Sequence, residues 1–215
     1  MHIILYIATS IGFYIVTQAN GSWNIIQHSL QDHALTSVAA SDEYIVVGTQ
    51  DGLWRSSDNG STWHNVGKKA HSMHIRWLMS SEAQPQTVFA GTEPAGILIS
   101  HDGGLNWVNS PDVEHMRDEK GWFLPYSPEA GCVRGFAITE SKNSKGVDQI
   151  YAAVEVGGVL VSSNGGKNWQ LVQGSDGSPD FSRDLGTLIH PDVHSLSVHP
   201  KAPEVLTAST GGGLY

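Results

Sequence analysis

Two glutamates, Glu93 and Glu155, occupy matched places just before the tight loop that enters a hairpin glycine, Gly96 or Gly158. Hydrolysis of a glycosidic bond requires two carboxyl groups flanking it, one protonated and one ionised, at roughly 5 to 9 Å. Glu93 and Glu155 are therefore the candidate acid and base. A second matched set comprises Arg76, Arg134 and His194, the second residues of the β-rich runs IRWLMS, VRGFAIT and VHSLSV. A guanidinium presents a planar fork of donors to an anion. Brought to one rim, these five residues would grip a carboxylate or sugar hydroxyls. Equally, arginine and glutamate would pair with each other and neutralise a buried rim.

Aromatic residues give a third lead. Trp122, Phe123 and Tyr126 fall in the insertion EKGWFLPYSPEAG, residues 119–131. There they would either stack on a sugar ring or a partner side chain, or pin the insertion onto the body of the protein. Histidines His190, His194 and His199 cluster near the end, but Pro191 and the alternation of VHSLSVHP argue for loop and strand rather than a helix that would align imidazoles on a metal. No metal site and no cofactor are expected.

These residues must be positioned by a repeated element. GLWRSSDNGSTW (52–63), GILISHDGGLNW (96–107) and GVLVSSNGGKNW (158–169) each run eleven steps from glycine to tryptophan. Apolar alternation, a Ser-x-Asp/Asn-x-Gly cluster and a closing Trp read as strand, turn, strand. Two further β-rich runs precede each copy, which makes four strands per repeat. Gly12, Gly52, Gly96, Gly158 and Gly213 mark successive units at intervals of 40, 44, 62 and 55 residues. A four-stranded meander repeated at that period is a propeller blade. Gly12 also stands eleven residues before Trp23, but its turn lacks the Ser, Asp and Gly of the cluster, so that hairpin must stand on its strands.

The clusters Ser56-x-Asp58-x-Gly60-x-Thr62-Trp63, Ser100-x-Asp102-x-Gly104-x-Asn106-Trp107 and Ser162-x-Asn164-x-Gly166-x-Asn168-Trp169 resemble the Asp-box, or bacterial neuraminidase repeat. The third departs from it by placing Asn at the acidic position. The chain looks most similar to bacterial propellers labelled sialidase-like or glycosyl hydrolase-like. The resemblance implies an all-β propeller of four-stranded antiparallel blades, with the box turns on the face opposite the ligand rim, and it implies fold far more than activity. Asp58 and Asp102 are accordingly read as structural. Sialidases use a tyrosine nucleophile, an aspartic acid and three arginines; the Arg-Ile/Leu-Pro signature of their first blade is missing here, and the paired aspartates of xyloglucanases are not recognisable by local motif.

Blade parts fall at 1–27, 35–66, 74–108, 133–172 and 193–215 of a single propeller domain, an incomplete ring of three whole blades and parts of two. Because residues 211–215 match the opening of another hairpin, a longer ring truncated at the C-terminus is expected, with self-association through unclosed blade edges. A net charge of −9, with only 12 Lys and Arg, argues against a nucleic-acid partner. No run reaches the roughly 18 apolar residues of a membrane span. The apolar start, residues 3–16, lacks a basic flank and aligns with later blades as strand, so it is read as strand rather than signal peptide, which favours the cytoplasm. The single cysteine, Cys132, excludes an internal disulfide. The expected function is non-catalytic binding of a glycan, peptide or protein through the rim and the long inter-blade loops. The alternative is a glycoside hydrolase acting through the rim carboxylates.

Overall fold

The computed structural model describes residues 3–67, 73–123, 131–139, 149–199 and 201–215. They form five antiparallel sheets, one for each glycine-headed repeat, with the strands of each sheet side by side in chain order. The first holds β1 (Ile4–Thr9), β2 (Gly12–Ala19) and β3 (Ser22–Ser29). The second holds β4 (Leu35–Ala40), β5 (Ile45–Thr49), β6 (Gly52–Ser56) and β7 (His64–Val66). The third holds β8 (His74–Ser80), β9 (Val88–Glu93), β10 (Gly96–Ser100) and β11 (Val108–Asn109). The fourth comprises β12 (Val133–Thr139), β13 (Gln149–Val154), β14 (Gly158–Ser162) and β15 (Gln170–Leu171), and the fifth β16 (Val193–His199), β17 (Ala202–Thr210) and β18 (Gly213–Leu214). Three sheets of four strands and two of three are what the repeat predicts.

The chain divides into two compact units, Met1–Ala90 with Ser100–Trp107, and Gly91–Ile99 with Val108–Tyr215. In the first, Phe13, Ile15, Leu35, Ile45 and Val47 form a buried cluster. In the second, Ala153, Val159, Val193 and Ala208 do so. Strands β5, β10 and β14 are buried along their whole length. A strand covered on both faces gains from apolar residues at every position, about 1.5–3 kcal/mol for a fully buried Leu, Ile or Val, which is why these runs barely alternate. The first and fifth sheets are less covered: Leu5, Ile7, Trp23 and Ile25 in the first, and Val205 and Leu214 in the fifth, are more than a third exposed.

Each Asp-box turn is organised by one buried serine. Ser56 Oγ accepts from Gly60 N at 2.8 Å and donates to Asp58 Oδ1 at 2.8 Å, while Asp58 accepts from Thr62 N and Thr62 Oγ1. Trp63 closes the loop by donating its indole N–H to Gly60 O. The turn then docks on the preceding sheet: Gln27 Nε2 donates to Gly60 O, and Phe13 meets the Trp63 ring edge-on at 5.0 Å. Ser100, Asp102 and Trp107 repeat this arrangement, and Gly103 O accepts from Arg55 Nε at 2.7 Å. Box residues thus act as joints between sheets.

Hydrogen bonds from the Thr62 side chain, the Thr62 backbone and Ser56 hold the Asp58 carboxyl at about 2, below its ordinary 3.8. A folded value below the unfolded one means that the stabilisation is present in full above about pH 4 and is lost as pH falls toward 2. In Asp58→Asn this part of the acid dependence is expected to vanish. Thermal melts of wild type and variant should differ near neutrality and converge at low pH; a constant gap across that range would contradict the assignment.

The third box solves its missing charge from outside. Asn164 Oδ1 accepts from Asn168 N at 2.9 Å, and Asn164 Nδ2 donates to Asn168 Oδ1 at 2.9 Å, the reverse of the bond in which Asn106 donates to Asp102. A carboxylate arrives from α1 (Pro111–Lys120), where Asp112 Oδ2 accepts from Asn168 Nδ2 and Trp169 N, each at 3.1 Å. This helix is a departure from the loop expected for the long insertion. Its ends carry the local signals: Pro111 at the start, acidic Asp112 and Glu114 in the first turn, basic Arg117 and Lys120 in the last, and Gly121 at φ 71° donating to Arg117 O. Only Val113 is buried along it, so no apolar stripe announces it.

Candidate functional site

The first strands of the second, fourth and fifth sheets, β4, β12 and β16, which are the inner strands of their blades, present polar residues at irregularities of the ladder. Pairing shifts between Leu35 and Ser37, between Val133 and Gly135, and between Val193 and Ser195, leaving Thr36, Arg134 and His194 as the bulged residues. A bulge bends its strand and re-aims a side chain. The preceding residues Leu35, Ile75, Val133 and Val193 are all buried, so the apolar residue anchors the strand while its neighbour is turned out. Arg76 follows Ile75 in the same pattern, in the first compact unit.

Arg134 Nη1 lies 2.7 Å from Glu155 Oε1, and Cys132 Sγ donates to Glu155 Oε2 at 3.1 Å. Glu155 N in turn donates to Cys132 O at 2.9 Å, which fixes the approach of the two segments. Both carboxylate oxygens are engaged. The glutamate side chain is 15% exposed and the arginine 34%, so the guanidinium is the member of the pair that faces outward. His194 Nε2 stands 3.1 Å from Asp192 Oδ1. Strands β12 and β16 converge beside these two bulges: a Cβ on Gly135 would stand 4.0 Å from Ser195 Cα. The structure therefore brings Arg134 to Glu155, and His194 to Asp192, within the second unit.

The glutamate positions are unusual for the repeat. Thr9, Thr49 and Thr210 hold the same place three residues before Gly12, Gly52 and Gly213. Each threonine hydroxyl donates to the carbonyl of that glycine at 2.7–3.0 Å and accepts the N–H two residues on, closing the turn upon itself. Glu155 gives up this local bond for a partner 21 residues away. In the third sheet, Thr92 takes the turn-closing role by donating to Pro94 O at 2.7 Å, next to Glu93.

No family model matches the chain. An oligoxyloglucan reducing-end-specific xyloglucanase of Emericella nidulans is 33% identical over 79 residues, which is 34% of this chain and 10% of that protein. A protein from Neosartorya fischeri named a probable xyloglucanase of the same type is 24% identical over 176 residues, 78% of this chain and 20% of its own length. Among solved structures, the extracellular domain of BT4673 from B. thetaiotaomicron matches 98% of this chain with TM-score 0.65 at 14% identity, over 25% of its own length. YCF48 from Cyanidioschyzon merolae matches 98% of this chain with TM-score 0.60 at 12% identity, over 62% of its length. YCF48 has also been solved bound to D1 peptide, a structure that matches 95% of this chain with TM-score 0.52 at 13% identity, over 56% of its own length. The fold is that of an Asp-box-like β-propeller. The chain spans a tenth to a fifth of the curated xyloglucanases that it matches.

Within this partial propeller the remaining candidates separate. Trp122 is fully buried, with its indole N–H donating to Gly177 O at 2.8 Å and its ring against Gly157. No ring face is open to a ligand; of its two expected roles, pinning the insertion is the one that the geometry fits, because a buried indole with its donor satisfied has nothing left to offer. Phe123, its neighbour, is 43% exposed. Tyr126 lies outside the described residues. His190 Nδ1 accepts from Asp192 N, and His199 Nδ1 from Lys201 N, so each is tied to its own turn rather than to His194. Among the described residues no three His, Cys, Asp or Glu converge as metal ligands, and no helix is long and apolar enough to cross a membrane.

Sequence reasoning passed over Trp77. It follows Arg76 on an inner strand, where the other blades have Ser37, Gly135 and Ser195, and it is 46% exposed. Comparing residues at that register, instead of only the polar residue before it, would have singled it out.

Proposed function

We propose that this propeller is a non-catalytic binding module that recognises a glycan, peptide or protein through side chains turned out from the bulges of its inner strands. The observation that carries this reading is the state of Glu155, whose two oxygens are engaged by Arg134 and Cys132. An acid or base must exchange a proton with substrate from an available oxygen, whereas a guanidinium held from one side by a carboxylate and open on the other is a fixed donor for an incoming acceptor. Exposed Trp77 adds an aromatic surface of the sort that contributes area with few rotors. The YCF48 structure with D1 peptide illustrates that a propeller of similar fold takes a peptide.

Binding to immobilised glycans and peptides tests the proposal. In Arg134→Gln the affinity for a captured ligand is expected to fall about tenfold or more, in keeping with about 1.5–3 kcal/mol for a hydrogen bond to a charged group, and the melting temperature should change little because the pair is partly exposed. Equal affinity in wild type and variant would remove Arg134 from the site. The identity to a xyloglucanase over 79 residues favours a second reading, glycoside hydrolysis with Glu93 and Glu155 as acid and base. Turnover of xyloglucan oligosaccharides that disappears in Glu93→Gln or Glu155→Gln with folding intact would establish it and overturn the first.

A further inference from the structure

We infer that the third Asp-box hairpin holds a separate pocket for one neutral pyranose ring. A cavity of about 200 Å³ lies there among Val161, Ser163, Asn164, Asn168, Trp169 and Gln170. It is smaller than the ~300 Å³ at which pockets for drug-sized ligands begin, so it takes a single ring. Its character comes from the one substitution that separates this box from the others. Where Asp58 and Asp102 place a carboxylate, Asn164 places an amide, and its bonds to Asn168 hold both carboxamides in fixed orientation. The Asn168 amide is tethered a second time, to Asp112 on α1.

The lining selects the ligand class. Each carboxamide nitrogen carries two N–H groups; the Asn164 and Asn168 bonds above use one on each. The exposed side chains of Ser163 and Gln170 add a hydroxyl and a third amide. Groups that both donate and accept match vicinal hydroxyls, which do the same. Val161 and Trp169, 9% and 5% exposed, leave narrow apolar edges suited to the C–H positions of a sugar ring. An anionic ligand is disfavoured, because the lining holds no cation and Asp112 stands beside it. A wholly apolar ligand would leave the amides unpaired. The pocket shares no residue with the Arg134–Glu155 pair, so it stands or falls independently of the reading above.

Methyl β-D-glucopyranoside titrated into the full chain, followed by the Trp169 indole N–H and the Asn164 and Asn168 side-chain amides in nitrogen-edited NMR, tests this. Saturable shifts at these signals are expected, with none from glucuronate at the same concentrations. Gln170→Ala and, separately, Ser163→Ala should each weaken binding about five- to tenfold, the loss of one hydrogen bond, while Arg134→Gln leaves it unchanged. Both are exposed positions, and an unaltered melting temperature checks that folding is retained. Absence of saturation in wild type, equal response to glucuronate, or full affinity in both variants overturns the proposal.

Discussion

Trp122→Ala is expected to lower stability by about 3–5 kcal/mol, the range for emptying a buried indole site. Three neighbours explain the size of the effect. The Trp122 indole N–H reaches Gly177 O at 2.8 Å, Gly157 packs so closely that a Cβ there would sit 2.9 Å from the ring, and a Cβ on Gly131 would come within 2.1 Å of Trp122 O. Those backbones cannot collapse into the void without moving the segments that lead into β12 and β14 and the loop beyond β15. Urea denaturation gives the measurement, with Trp122→Phe as the graded companion: it keeps an aromatic body, loses the N–H, and should cost about 1–3 kcal/mol more than a conservative surface change. A stable Trp122→Ala with weakened ligand binding would return this residue to the recognition surface.

A second large effect is expected at the box of the third sheet, where Gly104→Ala should cost about 2–5 kcal/mol. Gly104 sits at φ +85°, a conformation that costs an L-residue roughly 1–2 kcal/mol. The new methyl would also stand 2.5 Å from Val46 Cγ2, an overpacking of about 1–3 kcal/mol. Gly60 separates the two contributions. Its φ of +80° is nearly the same, but its added Cβ would meet the flexible Gln27 amide at 3.1 Å and the Phe13 ring at 3.2 Å. Chemical melts should therefore place Gly60→Ala between wild type and Gly104→Ala. If the two alanine variants lose equal stability, the contact with Val46 contributes nothing and backbone conformation accounts for the whole penalty.

These joints explain which parts of the protein were legible beforehand. A box turn is a local device: serine, acid or amide, glycine and tryptophan interact within about one turn of chain, so their order on the page is already their geometry. The first hairpin lacked the motif, yet its strands pair from Phe13 with Ser29 to Ala19 with Ser22, because alternation suffices to define a two-stranded ladder. The matched positions of Arg134 and His194 were also readable, since the glycines set the register. That both are bulged was not, because a bulge is a relation between two strands. Helix α1 escaped for another reason. Its face is held by Asp112 and Ser110 reaching a box 56 residues away, not by an apolar stripe that periodicity detects.

The chain by itself determined the architecture, because a short repeating pattern of apolar alternation and turn residues is enforced by interactions among near neighbours. Tertiary structure decided what the chemically conspicuous residues are doing. Glu155 meets Arg134 and Cys132, Asn168 of the third box donates to Asp112, and Trp122 disappears beneath Gly177, each through contacts across tens of residues whose partners no local spacing encodes. Burial and ion pairing act over a few ångströms in space, so the role of a carboxylate or an indole is settled only when the fold has chosen its neighbours.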